Sequence, residues 1–411
     1  MKQVLTGNAA VATGVKLCKV DYIPAYPITP QTEIVELLAR WIHEGEMDAR
    51  FVMFESEHSM ITAAGAASLT GARTFTASSS QGLLYAYEML YNVAGWRAPI
   101  VLANVSRGLA APITMEPDHN DVLSARDSGF IQIHAETCQE VLDSVIMAYR
   151  IAEDSRVRLP AIVNLDGFYL SFTREPVSIP AGEQVSDFLP EYKPAHGYLS
   201  AKNPISIAVA VLNSSAYSYF KYQLHLASVN ALKVHEEVSE RFEKIFGRKY
   251  NAVEEYMLDD ADYVIVMTNS FTTIGKAAVK KLRESGKKVG LLKIRLIRPF
   301  PRDEVSRRLI GRKGVAVLDQ NVSVGSGGIL YPEVVSTLYH NAERPRALVS
   351  FIGGLGGKRI SYSEFKYMLS VTETAATAGK VPMHSIMLFT EDDWSMVKNM
   401  LKIAGKGEVV S

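Results

Sequence analysis

The chain has 411 residues, 47% of them hydrophobic and 21% charged, with 44 basic side chains balanced by 44 acidic ones. That length leaves room for two or three domains with sizeable cores, and zero net charge argues against nucleic acid or an anionic membrane as the main partner. No apolar run approaches the roughly 20 residues of a membrane span, and the N-terminus MKQVLTGNAAV has no secretory h-region, so a cytoplasmic protein is expected.

Residues 1 to about 171 alternate strand and helix. Val4–Thr6 leads into a helix over 8–19, and Tyr22–Tyr26 reads as a strand turned by Pro27-Ile28-Thr29-Pro30 into a helix over 31–43. Phe51 to Phe54 is a short apolar run, fit for a buried parallel strand. Ser56 is a natural N-cap with Glu57 opening the next helix, and from Ser59 to Leu69 that helix is mostly Ala, Gly, Ser and Thr, slim enough for a ligand or another backbone to approach. A strand over Thr74–Ala77, the turn Ser78-Ser79-Ser80-Gln81-Gly82, a helix over 83–95, and strands at Pro99–Val105, Phe130–Ala135 and Leu159–Leu165 complete the pattern, with a helix over 138–154 between the last two. Apolar strands alternating with helices predict a doubly wound parallel sheet.

Residues 172–203 are rich in Pro, Gly and polar residues and read as a linker. A smaller α/β unit is expected over 204–371. It has strands at Ile205–Leu212, Tyr263–Thr268, Lys288–Ile294, Gly314–Leu318 and Ala347–Ile352, an amphipathic helix over 233–256 interrupted near Gly247, and a helix over Ile274–Ser285. The last stretch, 372–411, reads as an extension that packs on another subunit.

The chemistry concentrates at predicted strand ends. A carboxylate at the carboxyl end of a strand, before a slim helix, sits where α/β folds place ligands, which marks Glu57; Glu55 is expected to pair locally. Two prolines fix the backbone around Thr29, whose hydroxyl and N–H face whatever lies above the sheet, or else merely stiffen a turn. Arg107 closes a strand, where a guanidinium suits a small carboxylate or phosphate or pairs with a neighbouring acid. Asp118-His119-Asn120-Asp121 either lines the site or holds its loop by Asx turns, the reading we favour. Three phosphate-type signals fail. Gly353-Gly354-Leu355-Gly356-Gly357-Lys358 is one residue short of a P-loop, Gly325–Gly328 lacks the dinucleotide fingerprint, and Leu165-Asp166-Gly167 has no asparagine at the spacing of a metal–diphosphate motif. Cys18 and Cys138 are too few for an iron–sulfur cluster and read as buried free thiols, and His43, His58, His119 and His134 have no metal-ligand spacing.

Taken in order, AYPITPQTE (25–33), SEHSMITAAGAASLTGARTFTASSSQG (56–82), the strand ending in Arg107, DHNDVLSARDSGFIQIHAE (118–136), LPAIVNLDGF (159–168), GKKVGLLKIRLIRPFP (286–301), VAVLDQNVSVGSGG (315–328) and FIGGLGGK (351–358) resemble the α subunit of the 2-oxoacid:ferredoxin oxidoreductases, of which pyruvate:ferredoxin oxidoreductase is the familiar member. The resemblance covers nearly the whole chain. It implies a thiamine-diphosphate pyrimidine-type domain followed by a transketolase C-terminal-like domain, and a split active site. A β subunit would hold the diphosphate and Mg²⁺, γ and ferredoxin-like δ subunits would complete the assembly with [4Fe-4S] clusters, and coenzyme A would take the acyl group. By the same carry-over, Glu57 corresponds to the family's activating glutamate on the aminopyrimidine, with Thr29 and Arg107 holding the substrate and Arg107 on its carboxylate. No metal site is expected on this chain.

The sequence departs from the family's pyruvate enzymes in the loop after Arg107, which reads Ile113-Thr114-Met115-Glu116-Pro117-Asp118-His119 where they often carry a tryptophan and a small residue. Loops set specificity, so a branched-chain or aryl 2-oxoacid stands as the alternative to pyruvate. A nucleotide-binding module or a non-catalytic scaffold are the remaining alternatives. The first would need a complete phosphate loop, and the second would tolerate loss of Glu57.

Overall fold

Apolar strands too short to stand alone bury themselves by pairing side by side, and the slim or amphipathic helices between them cover the faces. The computed structural model describes residues 1–194, 197–403 and 405. Two residues of the expected linker, 195 and 196, and the end of the expected extension, 404 and 406–411, lie outside it.

The first unit runs β1 (Lys2–Thr6), α1 (Gly7–Leu17), β2 (Tyr22–Ala25), α2 (Thr32–His43), β3 (Arg50–Met53), α3 (Glu57–Ser68), β4 (Phe75–Ser78), α4 (Ser80–Tyr85), α5 (Tyr87–Gly95), β5 (Val101–Ser106), α6 (Asn120–Ser124), β6 (Ile131–His134), α7 (Cys138–Ala152) and β7 (Ala161–Asp166). Strands β6, β7, β5 and β4 lie parallel in that order. The parallel pair β2–β3 continues beside β4 through a bridge between Tyr22 and Thr74 and the bond from the Thr76 hydroxyl to Pro24 O, 2.9 Å. All these strands point the same way, so Ala25, Ser78, Ser106 and Asp166 end on one edge, where a parallel sheet leaves its ligand crevice. The rest of the α/β alternation in this unit, the Ser56 cap and the buried, free Cys18 and Cys138 follow the expected pattern.

The stretch expected to be a plain linker contains β8 (Arg174–Ser178), which pairs antiparallel with β1, and α8 (Gly182–Phe188), whose Val185 and Phe188 enter the first core. Ile205–Leu212 forms no strand. The expected 233–256 helix is α9 (Ser214–Phe246), 33 residues long, with Asn213 as its N-cap and Gly247 closing it in the left-handed conformation. Its C-terminal half packs Ala227, Ala231, Val234, Val238 and Phe242 into the first core rather than the second. The residues beyond Gly247 form β9 (Val253–Tyr256), a strand the helical pattern concealed.

The second sheet is built from β9, β10 (Tyr263–Met267), β11 (Val289–Ile294), β13 (Gly314–Asp319), β14 (Ala347–Ile352) and β15 (Ile386–Met387), in the order β15-β14-β13-β10-β11-β9, with only β9 antiparallel. Helices α10 (Thr272–Glu284), α11 (Arg302–Leu309), α12 (Leu330–Leu338) and α13 (Tyr362–Ala378) flank it, and α14 (Glu391–Ile403) follows β15. The expected boundary after 371 falls inside α13, and β15 adds the last segment to this sheet. Between β11 and β13 a three-residue strand, β12 (Leu296–Arg298), leaves the second unit and pairs antiparallel with β6, completing the edge of the first sheet.

Charge seals the seam between the units. Lys293 Nζ lies 2.6 Å from Glu140 and 3.0 Å from Glu136, Arg295 lies 2.6 Å from Glu140 and 2.5 Å from Glu254, and Lys276 bridges Glu136 and Glu254 at 2.8 and 2.6 Å. Burial alone would neutralise Glu140, yet Arg295 and Lys293 outweigh it and hold the carboxyl down at about 2.

Candidate functional site

Glu57 opens α3, capped by Ser56, whose side chain accepts from the Ser59 N–H at 3.2 Å. The carboxylate turns inward, only 5% exposed, and lies against Gly82 at the start of α4. A Cβ on Gly82 would stand 2.8 Å from Ser78 Oγ and 2.9 Å from Glu57 Cδ, so the absent side chain is what lets the carboxylate reach the end of β4. Burial raises the Glu57 pKa, and a backbone hydrogen bond only partly opposes it. The hydroxyls of Ser78 and Ser79 and the amide nitrogen of Gln81 beside it are buried with no partner. A buried carboxyl whose pKa is raised, with the unpartnered Ser78 hydroxyl close by, is suited to share a proton with a ligand nitrogen. Glu55, by contrast, is engaged locally by the Ser59 hydroxyl, as expected.

Arg107 follows β5, next to β4 in the sheet. The residue is 5% exposed, and its guanidinium forms no ion pair among the described residues. Nη1 meets the Met115 thioether at 3.4 Å, and Nε has no partner. Burial pulls its pKa down with partial compensation from Asp121. The alternative of an ion pair with a neighbouring acid is therefore not what the fold builds. A desolvated cation without a counter-ion is costly, and a ligand carboxylate or phosphate would relieve it.

Thr29 is exposed on the loop after β2. The loop is pinned from below, with Asn8 Nδ2 donating to Pro30 O at 2.9 Å and Gln31 Nε2 to Tyr26 O at 2.9 Å. Pro30 reaches across to the ends of β5 and β7. At Gly167 a Cβ would sit 2.6 Å from Ser106 O, 3.0 Å from Pro30 Cγ and 3.4 Å from Met115 O, so the Thr29 loop, the Arg107 strand and the Met115 loop meet there. All three expected site residues thus stand on one edge of the sheet.

Sequence reasoning missed the buried scaffold that holds this edge. Asp121 accepts from Ser106 Oγ at 2.8 Å, Asn104 Nδ2 at 3.1 Å and the Ser80 N–H at 2.9 Å, tying β5 to the turn after β4. Asp166 takes His119 Nε2 at 2.7 Å, Asn269 Nδ2 at 2.9 Å and the Ser270 hydroxyl, joining the end of β7 to the second unit. Burial disfavours the His119 cation, but the Asp166 carboxylate overrides this and raises its pKa. The Asp118–Asp121 segment therefore braces the loop, as favoured: the Asn120 N–H bonds Asp118 at 2.8 Å in an Asx turn, while His119 and Asp121 are buried in the bracing network. A visible but unread signal was the density of Asn, Asp and Ser at strand ends, which an apolar sheet tolerates only when each is bonded.

The glycine stretch that fails as a P-loop has a structural role. Gly354, Gly356 and Gly357 take positive φ, and Gly357 donates to Pro117 O at 3.2 Å, seating the loop on the segment that covers Arg107. Gly328 leaves room for Asp319, which caps α12 through the N–H groups of Leu330 and Tyr331 at 2.6 and 3.1 Å.

Residues 13–240 match the family described as pyruvate flavodoxin/ferredoxin oxidoreductase, thiamine diphosphate-binding, and residues 261–365 match pyruvate:ferredoxin oxidoreductase core domain II. This chain belongs to that family. It is 42% identical over 95% of its length to the pyruvate synthase subunit PorA of Pyrococcus abyssi, covering 99% of that protein. It is 44% identical to the PorA of Thermotoga maritima, over 87% of this chain and 90% of that one. It is also 42% identical to the ketoisovalerate oxidoreductase subunit VorA of Pyrococcus abyssi, over 93% and 96%. Among solved structures, a 2-oxoglutarate:ferredoxin oxidoreductase from Magnetococcus marinus, with 2-oxoglutarate, coenzyme A and succinyl-CoA bound, superposes with a TM-score of 0.71 at 19% identity over 90% of this chain. The family member here spans 65% of the length of that chain. A split-gene transketolase superposes with a TM-score of 0.53 at 11% identity, over 92% of this chain and all of that one. At such identities these two matches speak for the fold, a thiamine-type α/β domain followed by a transketolase C-terminal-like one. No helix among the described residues is long and apolar enough to cross a membrane.

Proposed function

We propose that this chain is the α subunit of a thiamine-diphosphate-dependent 2-oxoacid:ferredoxin oxidoreductase that decarboxylates pyruvate oxidatively and passes the acyl group to coenzyme A. The observation that carries the reading is Glu57, a buried carboxyl after a strand's carboxyl end, set against Gly82 and near the unpartnered Ser78 hydroxyl. These residues fit the aminopyrimidine side of the coenzyme, and no stretch of this chain reads as a diphosphate motif, which a β subunit with Mg²⁺ would supply. When bound, the coenzyme provides the electron sink that lets a 2-oxoacid lose CO₂.

This chain's own residues then do three things. Glu57 would hold the aminopyrimidine side of the coenzyme and share a proton from its carboxyl oxygen with a ring nitrogen there, acting as general acid–base. Arg107 binds the substrate carboxylate, exchanging its thioether contact for a charge-assisted pair. Thr29, held on a pinned loop, donates its hydroxyl and so fixes the substrate's orientation. The γ and ferredoxin-like δ subunits, the [4Fe-4S] clusters and a cytoplasmic location complete the proposal.

A second substrate is favoured by one observation. The ketoisovalerate relative matches as well as the pyruvate ones, and a flexible Met115 rather than a rigid ring covers Arg107. Co-purification of the assembled complex, thiamine quantification and assay against a panel of 2-oxoacids test the reading. An active complex without thiamine would overturn it, and the kcat/KM ranking of pyruvate against 2-oxoisovalerate and phenylglyoxylate decides the substrate.

A further inference from the structure

The turn that lies against Glu57 is held in a conformation its residues do not choose. Ser79 is extended at φ −156°, and Ser80, the next residue, is left-handed at φ +48°. The chain therefore passes from β4 into α4 within a single residue, and two residues on Gly82 meets the Glu57 carboxylate. A left-handed serine persists only where its surroundings hold it there. A strained serine between a strand and a helix is also the geometry that exposes a nucleophile. Here the hydroxyl is buried and faces two acceptors, Gln81 Oε1 at 2.6 Å and Gly108 O at 3.0 Å, so it fastens the turn instead.

The backbone of that turn is fastened by one side chain. Asp121, fully buried on α6, accepts the Ser80 N–H on Oδ2 at 2.9 Å. The same oxygen takes Asn104 Nδ2 at 3.1 Å, and Oδ1 takes the Ser106 hydroxyl at 2.8 Å and the Val122 N–H at 2.7 Å. Four donors fill the roughly four acceptor positions of an ionised carboxylate, so it has no freedom to turn. Asn104 and Ser106 stand on β5, between β4 and β7, and Arg107 is the next residue. The acid thus references the Ser80 turn to the strand that carries Arg107. It also acts on Arg107 through space without an ion pair among the described residues, which leaves the guanidinium's donors to a ligand.

We propose that Asp121 is a positioning residue for the reaction: by holding Ser80 left-handed it sets Gly82 against Glu57 and fixes the place of that carboxyl relative to Arg107. This rests on the roles proposed above for Glu57 and Arg107. Asp121 touches no reactant. It acts through the turn, and a reacting group displaced by about 1 Å loses on the order of a hundredfold in rate.

The test is Asp121→Asn, alone and together with Ser80→Gly. Asparagine keeps only one of the two acceptor oxygens, whereas glycine takes a positive φ without help. Infrared difference spectra between each chain and its Glu57→Gln counterpart read where the Glu57 carboxyl protonates, with neither coenzyme nor turnover. In the wild type that midpoint is expected above the ordinary carboxylate range. Asp121→Asn should bring it down toward that range as water reaches the carboxyl. In the assembled complex the same variant should lower kcat by about 10- to 100-fold, with a smaller change in KM for pyruvate. Adding Ser80→Gly should recover most of both losses, which a general weakening of the fold would not do. Ser80→Thr leaves the acid in place and adds a β-branch that disfavours a left-handed φ. It should move both readouts the same way by less, and it serves if Asp121→Asn does not unfold cooperatively. An unmoved Glu57 midpoint, a moved midpoint with unchanged kcat, or a double variant no better than Asp121→Asn would overturn the proposal. An active Glu57→Gln complex would sink the proposed function and this inference together while leaving the infrared shift in place. An inactive one with an unmoved midpoint would sink this inference alone.

Discussion

Two buried polar regions lie within this chain, and they differ in completeness. At the seam between the units, Glu136, Glu140, Glu254, Lys276, Lys293 and Arg295 satisfy one another. At the carboxyl edge of the first sheet, Glu57 and Arg107 are equally buried, yet one is driven toward neutrality and the other has no counter-ion. A charge network that closes on itself holds structure together, whereas one left open within a fold otherwise well bonded is suited to a ligand, as proposed above.

The sharpest way to break this contrast is Glu57→Gln. Turnover of the assembled complex should fall by about two or more orders of magnitude, the range for a lost general acid–base group, with the thermal midpoint unchanged or higher. Next comes the closed network, where Glu140→Ala leaves Lys293 with Glu136 and Arg295 with Glu254 as their remaining acids and should cost up to roughly 3–5 kcal/mol in a denaturant titration. Third, Arg107→Met should raise KM for the 2-oxoacid by about 10- to 100-fold, the loss of a charge-assisted bond, with little effect on the stability of the chain, since the cation it removes forms no ion pair and is only partly compensated by Asp121. An Arg107→Met variant that unfolds like Glu140→Ala would erase the distinction.

The smallest effects are in pH dependence, where the two carboxyls have opposite signs. The Glu140 pKa is lowered in the folded state, so its stabilisation is present above the ordinary 4.5 and is lost as pH falls toward about 2. The Glu57 pKa is raised, so the folded state holds its proton longer, and stability declines as pH climbs from the ordinary carboxylate value through the raised one. Comparing each variant with wild type across that acid range should show two slopes of opposite direction.

Much of this was legible in the residues. The parallel strands β2 to β7, β10, β11, β13 and β14 announced themselves as short apolar runs, and Ser56-Glu57 marked a helix start at a strand end because capping chemistry is local. What failed was non-local. Ile205–Leu212 has the composition of a strand, but a strand is defined by a partner, and one chain offers none. The start of α9 escaped notice because Tyr217 to Tyr222 lack the one-sided spacing of a surface helix. Asp166 was weighed only as a metal–diphosphate motif. Its real partners, His119, Asn269 and Ser270, are far away in sequence.

The loan of β12 to the first sheet governs how the polypeptide must be made. Until residue 298 has emerged from the ribosome, β6 is a bare margin with unanswered amides, open to any passing chain. A nascent first half cannot be finished by itself, so maturation has to wait for the second half, and a fragment cut between the two would be born prone to clumping.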